Sequence, residues 1–292
     1  MSRYPDWERD GADWPNRDAS RFVEADGYGW HVQQMGSGPV CLLLHGTGAA
    51  THSWRDVMPL LAKHYRVIAI DLPGHGFTRP NHGRRVTLPA MAASVGVLLD
   101  ELGVVPDVIV GHSAGVAVGL QLLLERGWQS PVVGFTPALM PFPGLAARLF
   151  PSLAKILFTN PFVAIIFARL ASGPGETAKF LKRATGSSLD AAGERFYQRL
   201  FSKSGHCDGA IRMMANWRLE PLRDRLNEVA APVLLVHGAR DAAIAEKDVL
   251  AAAALIPGCQ TQRVDLGHLA HEEAPEAAVA IITAFARGAV RA

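Results

Sequence analysis

The sequence predicts an α/β domain with a mostly parallel sheet, and two observations predict it. Short apolar runs, each ending in small or polar residues, alternate along the chain with helix-like stretches. Val, Ile and Leu fill both faces of most of these runs, as expected of strands covered by helices on both sides.

Taken in order, the opening MSRYPDWERDGADWPNRD is charged and carries no apolar h-region, so it does not read as a secretory signal. Residues 21–35 form two short alternating runs around Asp26-Gly27, a hairpin signal that gives the sheet an antiparallel start. Six further strand candidates follow: VCLLLHG (40–46), RVIAIDLPG (66–74), DVIVGHSAG (107–115), VVGFT (132–136), VLLVHG (233–238) and TQRVDLGH (261–268), giving an eight-stranded sheet with the hairpin. Over 88–102, Met91, Val95, Leu98, Leu99 and Leu102 recur at helical spacing, and Gly103 stands where a C-terminal cap belongs. The alternation breaks between about 137 and 225, a helical stretch punctuated by prolines. This predicts a core of 1–136 and 226–292 with an inserted helical cap over 137–225, the last helix (about 274–288) closing the core.

Composition narrows the function. The chain has 292 residues, 49% hydrophobic and 19% charged, with mean hydropathy +0.13, which excludes disorder, coiled coil and collagen. A formal net charge of +2 gives no basic field for nucleic acid. Three cysteines without a CxxC suit a reducing, cytoplasmic compartment and supply no zinc site. The longest apolar stretch, about 150–172, is broken by Pro151, Lys155, Pro161 and Arg169, so it does not span a membrane. Its apolar side chains are expected to pack against the core, line a wide apolar pocket or rest on a membrane as a peripheral contact, and the cap's basic excess suits a solvated face, a substrate with carboxylates or an anionic lipid surface.

The chemistry gathers at three places. Gly111-His112-Ser113-Ala114-Gly115 follows a buried run and precedes a helical one, the strand–turn–helix context of a nucleophile elbow. A serine hydroxyl needs a base to take its proton, and His268 follows the last strand, where a loop can carry an imidazole to the elbow; His271 is the lesser candidate. Asp241 ends VLLVHGARD one strand earlier and is placed to orient that imidazole, while the loop after VVGFT offers no acid. Thr47, in His45-Gly46-Thr47-Gly48, and Ala114 are expected to supply the N–H groups of an oxyanion hole. Gly46-x-Gly48-x-x-Thr51 also imitates a dinucleotide fingerprint, but the third glycine is missing. The residues expected around the substrate are His45, Trp54, His112, Met140, Phe142, Met214, Trp217 and Leu269. No metal or organic cofactor is needed for this chemistry.

HGTGAATHSWRD (45–56), DLPGHGFT (71–78), GHSAG (111–115) and GHLAHEE (267–273) resemble the α/β-hydrolase superfamily, whose Ser…Asp…His chain order this sequence shares. The tryptophan-rich opening, TGSSLD (185–190) and MMANW (213–217) are similar to the magnesium-chelatase accessory hydrolases of bacteriochlorophyll biosynthesis. One departure is that Asp241 runs into AAIAEKD, without the proline many relatives carry there, which puts the shape of that loop in question. The resemblance implies an α/β-hydrolase fold, a place in photosynthetic pigment synthesis near Mg²⁺ insertion into a porphyrin and a magnesium-chelatase subunit as partner, but no substrate; in that context a large apolar cavity under the cap, edged by arginines, would complement a tetrapyrrole with its propionates. The alternative is a non-catalytic accessory on a hydrolase scaffold, against which the presence of GHSAG, Asp241 and His268 together argues.

Overall fold

The computed structural model describes residues 2–80, 86–141 and 161–291. Its centre is one sheet in the order β1-β2-β4-β3-β6-β7-β8-β9. After a short helix, α1 (Trp7–Asp10), the strands are β1 (Ser20–Ala25), β2 (Tyr28–Met35), β3 (Val40–Leu44), β4 (Arg66–Ile70), β6 (Val108–His112), β7 (Val132–Phe135), β8 (Val233–Gly238) and β9 (Gln260–Val264). A two-residue strand, β5 (Arg79–Pro80), pairs beside β2 and makes a ninth. Strand β2 pairs antiparallel with β1, β4 and β5, and the remaining pairings are parallel. The β1–β2 turn carries Asp26 at φ 49° and Gly27 at φ 72°, the left-handed pair that a tight hairpin demands.

Alternation along each parallel strand splits the core into two layers. Leu42, Leu44, Ile109, Val132 and Leu235 face α3 (Leu88–Glu101) and α4 (Ala114–Arg126). Cys41, Leu43, Val110, Val133 and Val236 face α2 (Val57–Leu61) and the C-terminal helix (Pro275–Arg291). Strand β9 departs from the expectation of strands filled on both faces: Gln260, Thr261, Gln262 and Arg263 are exposed, because it pairs only with β8 and ends the sheet.

The chain leaves β3 for β4 on one side, and β6 pairs β3 on the other, so the connections diverge between β3 and β6. A crevice opens at the carboxyl ends of strands at such a switch point. Over it, between β7 and β8, stand α5 (Pro161–Ala171), α6 (Glu176–Thr185), α7 (Ala191–Phe201), α8 (Ser204–Asn216) and the short α9 (Glu220–Arg223). Asp190 caps α7, its Oδ1 accepting from Gly193 N at 2.7 Å. His206 ties α8 to the sheet loops: it accepts from Gly76 N at 3.1 Å and donates to Gly48 O at 3.0 Å. Helix α10 (Glu246–Ala253) follows β8, and α11 (Ala270–Glu273) leads into α12 (Pro275–Arg291). Among the described residues no helix is long and apolar enough to cross a membrane.

Candidate active site

Ser113 sits between β6 and α4 with φ 51° and ψ −116°, a conformation that L residues rarely adopt and that surrounding structure must hold in place. The turn is crowded enough to exclude side chains beside it: a Cβ on Gly115 would lie 2.2 Å from Leu44 O, and one on Gly111 would lie 2.6 Å from Val116 N. Ala114 is the first residue of α4, so its N–H has no partner inside the helix and faces the same end as the helix dipole's positive pole.

A cavity of about 550 Å³ lies over the elbow, well within the range of about 300–1,000 Å³ typical of small-molecule sites. Its floor is Ser113, Ala114, Thr47, His112 and His268. Its walls are mostly apolar: Val163 and Phe167 from α5, Phe180 and Leu181 from α6, Tyr197 and Phe201 from α7, and Ile211 and Met214 from α8, with Trp217, Ile244 and Leu269. Phe167, Phe180 and Phe201 meet edge to face, with ring centres 5.3–5.9 Å apart.

His268 Nδ1 donates to Asp241 Oδ2 at 2.8 Å, and both side chains are nearly buried. The second carboxylate oxygen of Asp241 accepts from Ala243 N at 2.7 Å and Ile244 N at 2.9 Å. These two bonds fold the acid loop into a tight turn, so its shape does not depend on a proline. The carbonyl of His268 accepts from His112 Nε2 at 3.0 Å and from Thr136 Oγ1 at 2.7 Å. Thr136 itself has φ 45°, so two of the four described non-glycine residues with positive φ lie at this site.

Of the expected substrate neighbours, His112, Met214, Trp217 and Leu269 line the cavity with Ser113, Ala114, Thr47 and His268. Two others do not. His45 is fully buried beneath the loop, its Nε2 accepting from Leu72 N at 2.9 Å and its Nδ1 donating to Gly46 O at 2.7 Å. Trp54 is also fully buried, 4.3 Å from the His271 ring, and packs in the layer between sheet and helix. Each is consumed by the core, which corrects the expectation that they face substrate. Met140 borders a small neighbouring depression with Pro137 and Ile244, and Phe142 lies outside the described residues.

The rim arginines expected for an anionic substrate are not among the described lining residues. Arg195, Arg199 and Lys203 instead border a separate surface groove with Arg9. Arg199 binds Asp13 at 2.5 Å and Lys203 binds Asp10 at 2.9 Å, which fastens the N-terminal segment to α7.

Glu272 and Arg55 escaped the sequence reading, whereas His271, its lesser candidate for the base, is not among the described lining residues of the cavity. His271 is wholly buried against Trp54 and His112, and burial holds its imidazole down to about 3. Burial likewise keeps His112 well below the usual histidine range. Burial pushes the Glu272 carboxyl up to about 8, although Tyr197 donates to it at 2.7 Å and Arg55 lies 3.2 Å away. Arg55 also reaches Asp190 at 2.8 Å, linking α7 to the histidine loop. Among the described residues, no group of three or more His, Cys, Asp or Glu could hold a metal ion.

This architecture, with a serine elbow at the switch point, defines a class of protein. The profile of the alpha/beta hydrolase family matches residues 41–281, and the chain belongs to that family. Within it, the chain is similar to the magnesium-chelatase 30 kDa subunit of Rhodobacter capsulatus, at 39% identity over 95% of this chain and 98% of that one. It is also similar to a pimeloyl-[acyl-carrier protein] methyl ester esterase of Nitrosomonas europaea, at 28% identity over 72% of this chain and 81% of the relative. Among solved structures, an alpha/beta hydrolase fold protein from Burkholderia ambifaria superposes with a TM-score of 0.75, at 25% identity over 91% of this chain and 97% of that one.

Proposed function

We propose that the protein is a serine hydrolase cleaving an ester or related acyl bond, working at the magnesium-chelatase step of bacteriochlorophyll synthesis. The observation that carries the reading is the His268–Asp241 pair at 2.8 Å, with His268 and Ser113 facing one cavity. In this mechanism His268 takes the Ser113 proton as Oγ attacks the acyl carbon, and returns it to the leaving group. Water then attacks the acyl-enzyme with His268 again as base. Asp241 fixes the tautomer and stabilises the imidazolium, while the N–H groups of Thr47 and Ala114 receive the oxyanion. The apolar walls favour a substrate whose buried part is uncharged; for a tetrapyrrole, that is an esterified edge with its free carboxylates outside. The cap is the 137–225 insertion, and the exposed Ile165, Ile166 and Leu170 of α5 support peripheral contact with a membrane carrying such pigments.

Ser113→Ala is expected to reduce hydrolysis of p-nitrophenyl esters by about 10⁴-fold or more, leaving only what binding and the oxyanion hole supply. Hydrolysis by the alanine variant at the parental rate would refute the assignment.

The similarity to a magnesium-chelatase subunit favours a second reading, an accessory that binds a chelatase subunit or a porphyrin without turning it over. Stimulation of a reconstituted chelatase by Ser113→Ala as strong as by the parent protein would favour it; loss of stimulation favours the hydrolase.

A further inference from the structure

The backbone on either side of His268 is held from outside its own loop. His268 N donates to Thr185 O at 2.8 Å, and Leu269 N donates to Ser187 Oγ at 2.9 Å. Ser187 Oγ donates in turn to Glu273 Oε1 at 2.6 Å, and the same oxygen accepts from Gly267 N at 2.7 Å. Thr185 O also accepts from Ala242 N at 3.4 Å, beside the acid. Gly186, at φ 70°, passes so close to the acid loop that a Cβ there would lie 1.9 Å from Arg240 O. Three consecutive residues, some 80 positions before the histidine, thus bridge the loops that carry Asp241 and His268.

We propose that Thr185-Gly186-Ser187, with Glu273, is a positioning clamp that sets the imidazole of His268 relative to Ser113. It rests on the hydrolase reading above and adds a role for a segment that touches neither reacting atom. Connecting loops are mobile by default. Here all three N–H groups from Gly267 to Leu269 are engaged by the clamp, and the His268 carbonyl is held by His112 and Thr136. A base displaced by about 1 Å can lose about 100-fold in rate, so the clamp acts on proton transfer rather than on substrate affinity. It also makes this part of the insertion a fixed support, since lifting the α6–α7 connection would release the histidine.

The test is the rate of covalent labelling of Ser113 by a fluorophosphonate, resolved into the affinity of the probe and the limiting rate of bond formation, with melting temperature followed in parallel. Ser187→Ala is expected to lower the limiting rate by about 10-fold to 100-fold while probe affinity stays within about twofold. Glu273→Ala should do the same, whereas Glu273→Gln, which keeps an oxygen for Ser187 and Gly267, should stay close to the parent. If Ser187→Ala does not fold, the Glu273 pair decides alone. Parental limiting rates in Ser187→Ala or Glu273→Ala, or equal losses in Glu273→Gln and Glu273→Ala, would overturn the clamp. A parent that is not labelled at all contradicts the hydrolase reading itself.

Discussion

At the scale of single residues, Ser113 is asked to do two incompatible things. Its hydroxyl must stand clear of the backbone, and its backbone must take φ 51° and ψ −116° to put it there. Such conformations cost about 1–3 kcal/mol in a residue with a Cβ, and glycine escapes most of that. Ser113→Gly is therefore expected to raise the melting temperature by about 2–4 °C while abolishing ester hydrolysis. Calorimetry and an esterase assay on one preparation check both halves, and a lowered melting temperature contradicts the strain. Asp241 makes the complementary case. Asp241→Asn keeps the size of the side chain but loses the charge that stabilises the imidazolium, so kcat should fall by about 10³-fold or more with KM little changed.

The positions of Ser113, Asp241 and His268 were legible in the sequence because each ends or follows a strand with its own local signature. What surrounds them was not. Trp54 and His45 stand beside a glycine-rich loop where a large side chain can turn toward the cavity or the core. A 3₁₀ turn such as Thr51–Trp54 is too short for periodicity to decide between them. TGSSLD was readable only as a mark of resemblance, since its role lies in bonds to residues 267–273, which no local pattern announces.

At the scale of elements, α8 shows how the insertion is joined to the sheet. His206 is wholly buried and satisfies two backbone groups of different loops, the N–H of Gly76 and the carbonyl of Gly48. Leaving a buried polar group without its partner costs about 1–3 kcal/mol. His206→Leu, which orphans both, is expected to lower stability by about 2–5 kcal/mol, measured by urea denaturation. A change below about 0.5 kcal/mol would mean that the loops re-pair without the imidazole. The strand and helix positions were predicted closely in the core, where both faces of the sheet are covered. Prediction was weaker at β9, whose polar, exposed residues carry a strand only because β8 pairs with it.

At the scale of the whole molecule, the buried histidines set the response to acid. His45, His52, His75, His112, His206 and His271 all have imidazoles that burial holds below the ordinary value, His206 at about 4 and His271 at about 3. In the unfolded chain these groups bind protons below about pH 6.5, and in the folded protein they do so only at lower pH. Unfolding therefore takes up protons, and stability falls as pH drops below about 6.5, by about 1.4 kcal/mol per pH unit for each histidine. Glu272 works in the opposite direction, because burial raises its carboxyl to about 8 and its folded form holds a proton that the unfolded chain releases above about 4.5. One carboxyl offsets one of the six imidazoles, so the histidines prevail. Urea denaturation at pH 7.5, 6.0 and 5.0 should show a steep loss of stability on the acid side, and a flat profile would contradict the assignment of these groups as neutral.

Hydrolysis requires parts spread along the chain to converge: Ser113 must be made reactive by a histidine 155 positions later in sequence. Mass-spectrometric mapping after fluorophosphonate treatment tests it most directly. A single adduct is expected on the peptide bearing Ser113, absent from Ser113→Ala and strongly reduced in His268→Ala. An unmodified Ser113 in the parent, or equal modification when His268 is replaced, would contradict it.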